Sequence, residues 1–197
     1  MEVDRLRENV LGNLLRAVRL LEDCREFAAL MPEVRSNLVY ALPGAKTPGD
    51  VAAIEGRITV VRGLPRASGL PGWGTSDHMA RVIIEANRYD NTLHAGVNFR
   101  CDARIKEVVK SYCAAKGLTY GWIDRTKEPE AVMEPDGASM PWKIDYLHTQ
   151  YGGIPRVFYE GEGWGKEPLF FALGADAVEA ATMAIGIARR NAELKDA

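Results

Sequence analysis

Histidine is scarce in this chain. Only His78, His94 and His148 occur. None stands in H-x-H or H-E-x-x-H spacing, which disfavours an all-histidine catalytic metal site. Cysteine is equally rare: Cys24, Cys101 and Cys113 are odd in number and form no C-x-x-C pair. A disulfide framework and a structural zinc site are therefore both disfavoured, and reduced, mostly buried thiols are expected. No G-x-S-x-G elbow appears, which argues against an α/β-hydrolase. No apolar run approaches a membrane span, and the charged start MEVDRLRENVLGNLL lacks a signal-peptide core, so a cytoplasmic protein is expected. Nor is there an excess of positive charge. The 25 Lys and Arg against 27 Asp and Glu leave a net charge of −2, which predicts no bulk attraction to nucleic acid or to an anionic membrane. A phosphate ligand would have to be held by a local cluster of basic groups and backbone amides.

What is there is a chain of 197 residues, 47% of them hydrophobic, enough for a single compact domain with a sizeable core. From about Val3 to Met31 the pattern is helical, with Leu11, Leu14, Leu15, Val18 and Leu21 on one face, and Pro32 ends it. Such a stripe buries against the chain's own domain or against a second copy. Strands are expected at SNLVYAL (36–42), RITVV (57–61), AGVNF, LTYGWID, RVFY and LFFAL. Helices are expected at DVAAI, opened by Thr47 as cap and Pro48, then at SDHMARVIIEANRY, ARIKEVVKSYCAAK and PWKIDYLHTQ, and from Ala175 to about Leu194. The Gly/Pro-rich segment RGLPRASGLPGWGTS, residues 62–76, reads as a long functional loop. Alternating strands and helices without repeats predict an α/β domain whose central sheet is covered by helices.

The stretch YEGEGWGKEPLFF, Tyr159 to Phe171, is rich in glycine next to a lysine. It is not a nucleotide-triphosphatase P-loop: only three residues separate Gly161 from Gly165, Glu167 stands where a hydroxyl is required, and Pro168 follows. Its backbone still suits an anion, with Lys166 as cation, or else it is a tight turn before a strand. Other polar groups fall at expected element ends. GWGTSDHMAR puts Ser76, Asp77 and His78 in a helix's first turn, where unpaired N–H groups favour an anion and a neutral imidazole; an ordinary capped helix with an exposed histidine is the bland alternative. Arg57 opens a strand, able to clamp a phosphate or to form a surface ion pair. Asn98 and Arg100 end one strand, and Asp124 and Arg125 follow another. Met140 and Trp142 offer apolar surface for a flat ring, or core packing.

Taken in order, MPEVRSNLVYALPGAKTPGDVAAIEGRI, GTSDHMAR, VNFR, DRTKEP, SMPW and GWGKEP resemble the signatures of the ThiN family of thiamine-phosphate synthases. The resemblance runs from roughly Glu8 to Arg190 and implies a stand-alone ThiN protein: an N-terminal helical segment at 1–31 packed on a ThiN-like α/β domain at 32–197. The fold it implies is a three-layer α/β/α sandwich with a central mixed sheet, like class II aldolases and the C-terminal domain of hydroxymethylpyrimidine-phosphate kinases. The aldolases' zinc histidines are not reproduced. The activity it implies joins an aminopyrimidine methyl diphosphate to a thiazole phosphate, giving thiamine phosphate and diphosphate. The family's catalytic arginine and histidine map onto Arg57 and His78. Phosphate and substrate binding would fall to Ser76, Asn98, Arg100, Asp124, Arg125, Met140, Gly163, Gly165 and Lys166. Mg²⁺ is expected with the diphosphate, its protein ligands unassigned beyond Asp77 or Glu167 as guesses. A homodimer acting on small phosphorylated heterocycles is expected. The rival readings are a non-catalytic sensor of thiamine phosphate and an aldolase-like lyase.

Overall fold

A computed structural model describes residues 2–129, 139–161 and 167–196. Its centre is a sheet of seven strands among the described residues, in the order β5-β2-β1-β6-β9-β8-β7. These are β1 (Leu38–Ala41), β2 (Val51–Ile54), β5 (Pro71–Trp73), β6 (Ala95–Arg100), β7 (Tyr120–Ile123), β8 (Val157–Glu160) and β9 (Leu169–Gly174). Neighbours run antiparallel except β7 and β8, which are parallel and joined through a helix, so the sheet is mixed. A parallel pair needs such a crossover because a tight hairpin cannot return the chain in the same direction.

Strand alternation builds the layers. In β9, Phe170 and Ala172 enter one core while Phe171 and Leu173 enter the other, the period of two that points successive side chains to opposite faces. On one face lie α1 (Glu2–Glu22), α3 (Ala103–Lys116) and α5 (Ala177–Asp196); on the other lie α2 (Asp77–Tyr89) and α4 (Ser139–Tyr151). This is the expected α/β/α sandwich with a central mixed sheet. None of the helices among the described residues is long and apolar enough to cross a membrane. Cys24, Cys101 and Cys113 are buried and form no disulfide among the described residues.

Helix α1 buries Val10, Leu14, Ala17, Val18 and Leu21 in its own domain's core. Two expectations there are corrected. The α-helix stops at Glu22 and a 3₁₀ segment, Arg25–Leu30, replaces its last turns, turning Phe27 and Leu30 fully into the core. Leu15 lies 43% exposed, off the buried stripe, because at 100° per residue it falls on the flank.

The DVAAI helix is also corrected. Thr47 and Pro48 open only a 3₁₀ turn at Pro48–Asp50, with a reciprocal Thr47–Asp50 capping box. Val51–Ile54 then form an internal strand with all four residues buried. An apolar run this short carries no usable period, and its sheet neighbours decide it. The segment 62–76 is likewise no simple loop, since it holds β4 (Leu64–Ala67) and β5. RITVV contributes β3 (Ile58–Val61), which pairs with β4 in a separate hairpin. Its two-residue connection, Arg62–Gly63, has φ of 52° and 77°, as two-residue hairpin turns with both residues left-handed require.

Candidate functional site

Period-two alternation also sets the site. Three polar residues occupy positions on the α2/α4 side of strand ends: Asn37 just before β1, Asn98 near the end of β6, and Glu160 at the end of β8. Because β1 and β9 run against β6, the start of each lies beside its end, with Leu38 opposite Val97 and Leu169 opposite Arg100. The first turns of α2 and α4 cover the same end. Together they enclose a cavity of about 390 Å³, within the range of small-ligand sites.

Arg57 and His78 both line this cavity, together with Ser76, Asn98 and Met140. Arg57 arrives with a left-handed backbone, φ 68°, a conformation that L-residues with a Cβ seldom adopt. Three contacts hold it there: its N–H donates to the Ile54 carbonyl at 3.1 Å, its carbonyl accepts from Ser68 N–H at 2.8 Å, and its guanidinium donates to the Val34 carbonyl. Among the described residues the guanidinium has no carboxylate partner.

His78 stands in the first turn of α2, its ring 6.0 Å from that of the buried Phe171. Ser76 is the N-cap residue, yet its hydroxyl makes no capping bond. The positive end of the helix therefore faces the cavity without an internal side-chain cap, a favourable place for anionic oxygens. Asp77 in the same turn is paired to Arg81 at 2.7 Å.

Asn98 holds the cavity wall together. Its side-chain oxygen accepts from Asn37 N–H at 2.7 Å and its amide donates to the Arg35 carbonyl at 3.2 Å, while the Asn37 side chain accepts from Ile54 N–H at 3.1 Å. These bonds tie residues 35–37, with Arg35 itself at φ 67°, to the strand before Arg57. Glu167 closes the same rim by accepting from the backbone N–H groups of Glu33 and Val34 at 3.0 and 3.1 Å.

Other sequence candidates lie elsewhere. Arg100 is exposed and pairs with Asp102 at 2.9 Å, off the cavity wall. Asp124 caps the short 3₁₀ turn Arg125–Lys127, and the Thr126 hydroxyl and N–H hold its carboxyl below the usual range. Arg125 reaches the site only from behind, bonding Glu128 at 2.9 Å and approaching Glu160 at 3.1 Å. Gly163, Gly165 and Lys166 lie outside the described residues.

Sequence reasoning missed the ion pair in the wall. Lys143 Nζ stands 2.5 Å from Glu160 Oε1, with the Lys143 side chain only 3% exposed. Its signal was available: Met140, Lys143, Ile144 and Leu147 form the buried face of α4, so a lysine sits at an apolar-stripe position. Among the described residues no group of three or more His, Cys, Asp and Glu side chains comes together, and the wall's carboxylates Asp77, Glu160 and Glu167 are each engaged as above.

Comparison with known proteins agrees with this architecture. The family model for thiamine-phosphate synthase ThiN matches residues 13–185. Thiamine-phosphate synthase ThiN of Methanothermobacter thermautotrophicus is 38% identical over 183 residues, covering 93% of this chain and 94% of that one. The bifunctional thiamine biosynthesis protein ThiDN of Methanocaldococcus jannaschii is 33% identical over 174 residues, 88% of this chain but 39% of that longer protein. Among solved structures, the C-terminal domain of a phosphomethylpyrimidine kinase superposes with TM-score 0.88 at 29% identity, covering 92% of this chain and 99% of that one. An aldolase II superfamily protein of Pseudomonas syringae, at TM-score 0.50 and 10% identity over 98% of this chain and 79% of its own, shares the fold alone. With a matching family model over most of its length and a relative of this identity, the chain belongs to the ThiN family of thiamine-phosphate synthases, and so to thiamine biosynthesis.

Proposed function

We propose that this protein joins 4-amino-2-methyl-5-pyrimidinylmethyl diphosphate to 4-methyl-5-(2-phosphooxyethyl)thiazole, releasing thiamine phosphate and diphosphate. The bond from the pyrimidine methylene carbon to the diphosphate oxygen breaks, and its electron pair leaves with diphosphate. The thiazole nitrogen supplies the pair for the new C–N bond and becomes cationic. The chemical burden is charge: a polyanion departs while the pyrimidine carries developing positive charge, so fixed positive groups at the leaving oxygens lower the barrier.

The observation that carries this reading is the meeting of Arg57 and His78 on one cavity wall beside the uncapped start of α2. In this reading Arg57 neutralises the departing diphosphate, His78 donates a hydrogen bond to it, and the first-turn N–H groups of α2 add a fixed dipole. Met140 and Leu169 supply apolar wall for the heterocycles. Mg²⁺, expected with the diphosphate, would add positive charge at the leaving group when bound, and Asp77 and Glu167 are the rim carboxylates that could hold it.

The test supplies both substrates and follows thiamine phosphate and diphosphate together. Arg57→Ala and His78→Ala should each lower kcat/KM by about 10²–10³-fold, the usual effect of removing one such donor, with an unchanged circular-dichroism spectrum. Near-normal turnover in both variants would remove the mechanism. Product binding without turnover in the unaltered protein would instead identify a sensor of thiamine phosphate.

A further inference from the structure

The cavity has a second chemical character away from Arg57. Lys143 Nζ and Glu160 Oε1 are 2.5 Å apart in its wall, both side chains nearly buried at 3% and 11% exposure, with Met140 and Leu169 also lining that cavity. A buried ion pair is weak support for a core, because desolvation offsets most of the attraction and apolar residues of like volume do as well. Its placement calls for another explanation.

The pair is also unevenly used. Arg125 Nη1 approaches the same Oε1, at 3.1 Å, so two cations converge on one oxygen. Among the described residues both cationic contacts of the Glu160 carboxylate, from Lys143 and from Arg125, fall on Oε1 and neither on Oε2. Lys143 gives one N–H to Glu160, and an ammonium has three. The wall thus presents an acceptor next to a donor, fixed in register, between apolar surfaces.

We infer that Glu160 and Lys143 read the amidine edge of the pyrimidine, the carboxylate accepting from the exocyclic 4-amino group and the ammonium donating to the adjacent ring nitrogen. The inference rests on the function proposed above and deepens it. An aminopyrimidine offers donor then acceptor along this edge, the complement of the pair. A 4-oxo ring offers acceptor then N–H donor, so both contacts become repulsive. Sites that hydrogen-bond a substrate group discriminate strongly because the mismatch leaves buried polar groups unpaired. Arg125 is a positioning residue here: held by Glu128 at 2.9 Å, it keeps the Glu160 carboxylate in place from behind.

The test compares the 4-amino substrate with its 4-oxo analogue, and thiamine phosphate with its 4-oxo counterpart by calorimetry. The unaltered protein should prefer the amino form by about 10²-fold or more in kcat/KM and bind amino product more tightly. Glu160→Gln, whose amide offers donor and acceptor, should cut that preference at least tenfold while KM for the thiazole phosphate stays within about twofold. Since Glu160→Gln leaves Lys143 without its anion, the double variant Lys143→Met/Glu160→Leu provides a core without charges and should show the same loss of preference. Turnover with an amino/oxo ratio unmoved in both variants would overturn the inference and leave the proposed reaction standing. Absent turnover with a product-binding preference that disappears in the variants would support the inference and refute the reaction. If the unaltered protein neither turns over nor discriminates between the two products, the inference fails with the reaction.

Discussion

Arg57 joins backbone strain to function, and the two can be separated. With φ at 68°, any residue bearing a Cβ at this position is disfavoured by about 1–2 kcal/mol relative to glycine. Glycine in turn loses about 0.5–1 kcal/mol more conformational entropy on folding than alanine. Arg57→Gly should therefore be more stable than Arg57→Ala by roughly 0.5–1 kcal/mol. Both variants lose the guanidinium bond to the Val34 carbonyl, which is exposed, and both keep the main-chain bonds to Ile54 and Ser68, so those contributions cancel in the comparison. For a domain of this size the difference corresponds to about 1–4 °C in Tm, readable by scanning calorimetry on matched samples. Activity should behave differently: if the guanidinium acts on the leaving group, both variants fall by about 10²–10³-fold in kcat/KM, and relieving the backbone restores nothing. Equal melting temperatures would show that the left-handed backbone costs no more than the extra entropy glycine loses, about 0.5–1 kcal/mol. A glycine variant with recovered turnover would show that the loop conformation, and not the positive charge, matters.

Three further outcomes are expected. A Cβ at Gly174 would lie 2.8 Å from the Ala180 main-chain nitrogen and 2.9 Å from the Asp176 carbonyl oxygen, so Gly174→Ala should lose about 1–3 kcal/mol by overpacking; an unshifted urea midpoint would show that the start of α5 can move off β9 at no cost. The Asp50 carboxyl is held below its ordinary range by the Lys46 and Thr47 N–H groups and the Thr47 hydroxyl. Its contribution is present above the unfolded value near pH 4 and is lost as pH falls through the lower folded value, so Asp50→Asn should lower stability slightly at pH 7, solvent screening keeping the effect small, and progressively less below about pH 4; a cost independent of pH would exclude the charge. Burial pushes the Cys113 thiol up to about 11. An unfolded chain releases this proton near pH 9 and the folded one later, so stability should decline between these values, and by less in Cys113→Ala; an identical decline in the two proteins would rule out this thiol as its source.

Much of the site was legible in residue types at element ends. Arg57, Ser76, His78 and Asn98 stood out because arginine, an N-cap hydroxyl, histidine and asparagine flanked predicted elements, where backbone polar groups go unpaired. Arg100 and Asp124 looked equally suitable, yet each satisfies a neighbour, Asp102 and Thr126, within two residues. Local pairing of this kind leaves no trace in spacing. Val51–Ile54 failed for a related reason: four apolar residues carry too little periodicity to show that they would be hydrogen-bonded between β1 and β5.

The sequence determined that LFFAL, apolar at every position, would feed two cores once it became a strand, because successive side chains point to opposite faces. Strand order was decided only in three dimensions. Antiparallel neighbours lay the starts of β1 and β9 beside the end of β6, and that arrangement gathers Arg57, His78 and Asn98 around one cavity. The pairing of Lys143 with Glu160, from a helix and a strand seventeen residues apart, belongs to the same class. Such long-range contacts depend on how every layer packs at once, which no local run of residues encodes.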